Sequence, residues 1–136
     1  MKAVIQQEKT GCAIASAAVL AGVTYSEARK IANTIGIYAD DPKLWSQTKY
    51  MRLLLDKLGI RAAARERPFR SWRSLPNLAL LSIKWHQVNG MPYWHWVVFV
   101  RDDTGEYILD TKKPLRNHKR TDFGRIKPKW FISIYR

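Results

Sequence analysis

Cysteine is nearly absent from this chain: its 136 residues include one, Cys12. That excludes an internal disulfide and any metal site built from several thiolates, so a reducing compartment is expected and the localisation read from it is cytoplasmic. Long hydrophobic runs are missing too. The most apolar stretch, residues 13–23, falls well short of the ~20 residues that cross a bilayer, so no membrane span is expected. Lys2 and Lys9 ahead of it resemble a secretory leader only faintly, because Glu8 and two glutamines stand where such a leader is basic. Histidine is sparse. Three histidines and one cysteine form no zinc-ligand spacing, and neither a metal nor a cofactor is expected. Acidic residues are scarce as well, 11 against 24 lysines and arginines, which leaves a net charge of +13. Repeats, low-complexity segments and linkers are not found, and a single domain over residues 1–136 is expected, with 46% apolar residues to build its core.

What is present divides the chain in two. Helical spacing dominates the first part. The alanine-rich residues 13–23 form one helix; a second opens at Ser26, carries Ala28, Ile31, Ala32 and Ile35 on one face and stops at Gly36. A third runs from Ser46, with Met51, Leu54, Leu55 and Leu58 on its apolar stripe and Gly59 at its end. From Ile60 onward the pattern shortens to β-branched and aromatic runs at residues 78–85, 93–101, 106–110 and 130–135. Turn signals at Asn89-Gly90 and at residues 102–105 separate them. Helices first and an antiparallel meander second predict an α+β fold with N-terminal helices packed on a C-terminal antiparallel sheet.

The lone thiol lies where a polar run, residues 6–11, gives way to the first helix. A helix N-terminus offers free N–H groups and the positive end of the dipole, both of which favour a thiolate. A base for it comes from the hairpin. Alternation puts His95, Val97 and Phe99 on one face and Trp94, Trp96, Val98 and Val100 on the other. If residues 102–105 form the loop, Arg101 pairs with Glu106 and Asp110 falls opposite Val97, which makes His95 and Asp110 diagonal neighbours on one face. One residue more or fewer in the loop would separate them. An imidazole held by a carboxylate at one nitrogen leaves the other for a nucleophile. Gln6, in the loop before Cys12, is a candidate to join the Cys12 backbone N–H as an oxyanion hole.

The run Gln6-Gln7-Glu8-Lys9-Thr10-Gly11-Cys12-Ala13-Ile14-Ala15, the helix end Leu55-Asp56-Lys57-Leu58-Gly59-Ile60, and His95-Trp96-Val97-Val98 with Ile108-Leu109-Asp110 together resemble the papain-like cysteine peptidases that remove double-glycine leaders from bacteriocin precursors. The resemblance covers residues 4–111. It implies a papain-like fold with Cys12 as nucleophile, His95 as general base and acid, Asp110 as orienting group and Gln6 as oxyanion donor. The family usually has aspartate before and glycine after its cysteine, where this chain has Gly11 and Ala13. Its aspartate is commonly followed by proline, where this chain has Thr111. Members of the family are also typically joined to a membrane transporter.

Each residue has a plainer reading. Cys12 could be a small buried hydrophobe, His95 a satisfied core histidine, Asp110 a strand-end residue bonded to backbone, and Gln6 an exposed side chain. Trp94 and Trp96 read as packing. Taken as a set, the residues predict a cysteine hydrolase that cleaves a peptide or amide bond through a thioester acyl-enzyme. An acyltransferase, transglutaminase or deamidase would use the same site. A different class remains open: a non-catalytic basic module binding nucleic acid or an acidic partner. Two segments carry its charge. One, bounded by Arg61 and Arg73, holds five arginines against Glu66; the other, bounded by Lys112 and Lys129, holds eight basic residues against Asp122. Phe69, Trp72 and Trp130 stand near enough to these charges to suggest base stacking.

Overall fold

The computed structural model describes residues 1–135. Helix α1, Cys12–Ala21, is apolar on every side and buried on every side, with residues 12–20 all in the core. Alanine gives it helix propensity at almost no entropic cost. Gly22 ends it in the left-handed region (φ 69°), its N–H turned back on the Ala18 and Val19 carbonyls. A helix with no wet face needs cover all round, and α2, α3 and the sheet supply it.

The other two helices begin away from where composition alone puts them. Helix α2, Tyr25–Thr34, is capped by Thr24 and not by Ser26. The Thr24 hydroxyl accepts the Glu27 N–H at 3.1 Å and donates to the Glu27 carboxylate at 3.0 Å, an N-cap that leaves Ser26 inside the helix. Ala28 and Ala32 are buried as expected, whereas Ile35 is the C-cap and is exposed. Helix α3, Lys49–Lys57, starts three residues after Ser46, because Pro42–Trp45 first forms a 3-10 turn that Asp41 caps. Its Met51, Leu54 and Leu55 are buried.

Seven antiparallel strands make the sheet: β1 Arg61–Ala62, β2 Arg67–Pro68, β3 Leu78–Val88, β4 Met91–Asp102, β5 Gly105–Leu109, β6 Lys119–Arg120 and β7 Trp130–Tyr135. Their order is β1-β7-β3-β4-β5-β6, with β2 also on the outer edge of β7. The class is therefore α+β, with the helices on one face of the sheet. That face is lined by Leu80, Trp94, Trp96, Val98, Leu109 and Ile132. Two bonds clamp it to the helical layer: Trp96 Nε1 donates to the Leu44 carbonyl at 2.7 Å, and the buried Ser16 hydroxyl donates to the Trp96 carbonyl at 3.4 Å.

The opposite face carries Leu81, Ile83, Val97, Phe99 and Ile108. Irregular chain covers it, chiefly Leu75, Ile126 and an aromatic group in which Trp72 meets Phe69 and Phe123 edge-on at 4.9 and 4.8 Å. The rings nominated for base stacking are thus occupied. Phe69 and Trp72 pack on this face, and Trp130 stands edge-on to Trp94 and Trp96 on the other.

Two details of the β3-β4-β5 meander place the site. Arg101 pairs with Glu106 and Val98 with Leu109, the register expected from the loop length. Strand β3 does not stop at Trp85 but bulges: Ile83 pairs with His95 and His86 with Tyr93, so Lys84 and Trp85 together stand against Trp94. Lys84 takes a left-handed backbone (φ 54°), and the His86 ring Nδ1–H donates to its carbonyl at 2.8 Å.

Candidate active site

Cys12 opens α1, and the loop ahead of it is tied in two directions. Glu8 reaches α2, accepting from the Tyr25 hydroxyl and pairing with Arg29 at 2.7 Å. Burial, then the bond to Glu8, push the Tyr25 phenol well above its ordinary value, which keeps it a donor. Gln6 reaches the sheet. Its N–H donates to the Thr111 carbonyl at 3.0 Å, and the Thr111 hydroxyl donates to its side-chain oxygen at 3.0 Å. Since Thr111 follows Asp110 directly, this pair joins the thiol loop to the carboxylate end of the site. Gly11 explains the first departure from the resembled family's pattern. A Cβ there would run into the Tyr25 hydroxyl, so any larger residue at this position would have to displace the tyrosine that Glu8 holds.

Cys12 is 5% exposed and His95 14% by side chain, so the thiol and ring meet at the edge of the interior rather than on open surface. His95 Nε2 and Asp110 Oδ1 are 2.8 Å apart. With Nε2 held by the carboxylate, Nδ1 is the nitrogen left for sulfur. Burial works against the imidazolium, but the hydrogen bond to Asp110, the neighbouring Cys12 sulfur and the Asp110 charge raise the His95 pKa from 6.5 to about 9. Asp110 is 1% exposed by side chain. Burial alone would raise its pKa. The bond and charge of His95, the Lys112 N–H at 3.1 Å and Arg120 at 2.9 Å outweigh that and bring it to about 2. The result is a carboxylate and an imidazolium, charged together, with the sulfur beside the ring.

The chain of charge continues past the three nominated residues. Arg120, on β6, binds Asp110 with one nitrogen and grips Asp122 with two others at 3.0 and 2.8 Å. It was legible only as one more cation in a basic segment. His118, in the same basic segment, donates from Nδ1 to the Asp110 carbonyl at 2.7 Å and so braces that residue through its backbone. Trp94 and Trp96 are buried packing, as the plainer reading has it.

Gln6 is buried, and its amide nitrogen donates to the carbonyls of Glu8 at 3.2 Å and Lys9 at 2.7 Å. Both amide hydrogens are spent inside the loop. Here the second departure from the family's pattern matters: Thr111 supplies a hydroxyl that proline lacks, and that hydroxyl orients the Gln6 amide toward its own loop. Gln6 therefore shapes the turn that presents Cys12. Helix α1 has no side-chain cap, which leaves the N–H groups of its first turn, beginning at Cys12, as the candidate oxyanion donors.

Compared with protein-family models, curated proteins and solved structures, the chain finds no match. No group of three or more His, Cys, Asp or Glu able to hold a metal occurs among the described residues, and no helix there is long and apolar enough to cross a membrane.

Proposed function

We propose that this chain is a papain-like cysteine hydrolase acting on a peptide or amide bond. The observation that carries the reading is the His95–Asp110 pair at 2.8 Å with Cys12 close enough to act on the same ring, drawn from a helix start, a central strand and a strand end. Such a set has a use only as a unit. A buried imidazolium stabilised by both an acid and a sulfur is poised to form a thiolate ion pair and later to give up its proton.

In the proposed cycle the Cys12 thiolate adds to the carbonyl carbon, and the oxyanion turns to the N–H groups at the start of α1. The C–N bond breaks as His95 Nδ1 protonates the leaving amine, which leaves a thioester on Cys12. Water, losing a proton to His95, then adds to the thioester; the acid departs and the thiol is regenerated. Asp110 keeps its charge throughout and holds the ring by Nε2, with Arg120 holding Asp110 in turn. The resemblance to leader-removing peptidases makes a peptide cut after small residues the first substrate class to try.

The test is the rate at which iodoacetamide alkylates Cys12 between pH 5 and 9. An ion pair predicts labelling at pH 6 about tenfold or more above that of a free thiol such as glutathione, whose pKa is ~8.5. A profile that follows glutathione refutes the proposal. Incubation with a mixed peptide library, with and without added amines, then distinguishes hydrolysis from acyl transfer by product mass.

A further inference from the structure

A cleft of about 450 Å3 opens one residue away from the His95–Asp110 pair, and its walls carry charge of one sign. Lys84, Arg120, Arg125, Lys127 and Lys129 line it, with no acidic residue among the lining. It is joined to the site through two lining residues: Arg120 is bonded to Asp110, and Ile83 is the cross-strand partner of His95. The β3 bulge is the reason Lys84 is there. Its left-handed backbone breaks the alternation of the strand just past Ile83, and the ammonium comes close enough to Lys112 for the two cations to oppose each other.

Like charges are gathered here at a cost, and of the lining cations only Arg120 has a carboxylate in direct contact. Lys84, Lys112, Arg125, Lys127 and Lys129 have no carboxylate within 4 Å among the described residues, in contrast to Arg29, Arg52, Arg101 and Arg120, which are all paired. Trp85 and Ile126 add apolar wall, and the Lys129 ammonium lies over the Trp85 ring at 4.7 Å. A cleft of this size takes two or three amino-acid side chains.

We infer that this cleft is the substrate-recognition site for an acidic peptide segment, in which Asp or Glu side chains meet Lys84, Lys127 and Lys129 while the chain continues past His95 to Cys12. The inference rests on the hydrolase reading and names its substrate class. It also gives the charge a purpose. The net charge of +13 draws acidic substrates from solution, and the cleft holds them in register.

The test uses the full chain carrying Cys12→Ala and fluorescein-labelled peptides, one with six consecutive glutamates and one with six glutamines, with labelled oligothymidine alongside. Fluorescence anisotropy at low salt should give about tenfold tighter binding of the glutamate peptide. Lys84→Glu with Lys127→Glu should remove that preference, whereas Arg70→Glu with Arg73→Glu, an equal charge change away from the cleft, should leave it within about twofold. On the unmodified chain the glutamate peptide should slow alkylation of Cys12. Equal binding of the two peptides, equal loss in both charge-reversed pairs, or no protection of Cys12 would each overturn the inference. So would oligothymidine that binds more tightly than the glutamate peptide and loses that binding in the Lys84→Glu pair. Failure of the hydrolase reading shows separately, in the pH profile of Cys12 labelling without peptide.

Discussion

The sulfur and the imidazole come from regions held by different forces. The Cys12 side is a buried apolar helix and a loop stitched by hydrogen bonds of Gln6 and Thr111 and by one half-exposed ion pair, Glu8–Arg29. The His95 side is a ladder of alternating charge, His95 to Asp110 to Arg120 to Asp122, running from central strand β4 to the β6 edge of the sheet. Salt screens the half-exposed pair more than the buried ladder. Base, in contrast, should disturb the ring and its carboxylate before it disturbs the position of the sulfur.

The sharpest way to separate the halves is to remove chemistry from one without touching its packing. Cys12→Ala should lower turnover of any peptide the chain cleaves by at least about 10³-fold, while thermal melting shows a loss of roughly 1 kcal/mol for the missing sulfur. A variant that unfolds would mean that the thiol holds the helix in place. On the other side, Asp110→Asn leaves a shape of equal size and removes the charge. Alkylation of Cys12 at pH 6 should fall by about tenfold or more, and the alkaline limit of the imidazolium should drop from about 9 toward its ordinary 6.5.

The same asymmetry governs stability against pH. His95 is raised in the fold, so its contribution is complete below 6.5 and is lost as pH climbs through about 9; it amounts to roughly 3 kcal/mol at most. Asp110 is depressed, so its share is present above 3.8 and is lost as pH falls through about 2. Urea melts should accordingly peak between about pH 4 and 6.5, and Asp110→Asn should flatten the alkaline decline. A decline unchanged in that variant would locate the titration elsewhere.

Smaller effects probe the packed side. Gly11→Ala forces a methyl group against the Tyr25 hydroxyl and should destabilise by about 1–3 kcal/mol, at any pH, as read by urea melts. Thr111→Val removes one buried hydrogen bond to Gln6 and should lower stability by about 1 kcal/mol. If the freed Gln6 amide then turns toward the sulfur, turnover in Thr111→Val will rise instead of fall.

Much of the site was legible because it depends on counting. The alanine-rich residues 13–23 after a polar run, and a fixed loop at residues 102–105, were enough to set Cys12 at a helix start and His95 on the same face as Asp110. The bulge was not legible, since nothing in Ile83-Lys84-Trp85-His86 marks a left-handed residue the way glycine does. Nor was Arg120. A cation in a basic run looks the same in sequence whether it is solvated or clasped between two aspartates, and only the fold brings β6 alongside β5. Gln6 was placed correctly in the loop, but its bonds depend on Thr111, more than a hundred residues away.

Helix α1 has no wet side, and that limits how this molecule can move. Sliding or tilting it would strip cover from the centre of the interior, so Cys12 has no local route in or out of register. Backbone amides along the helix should thus exchange with deuterium only when the entire molecule unfolds. Any breathing that admits a ligand must come from the sheet's charged rim.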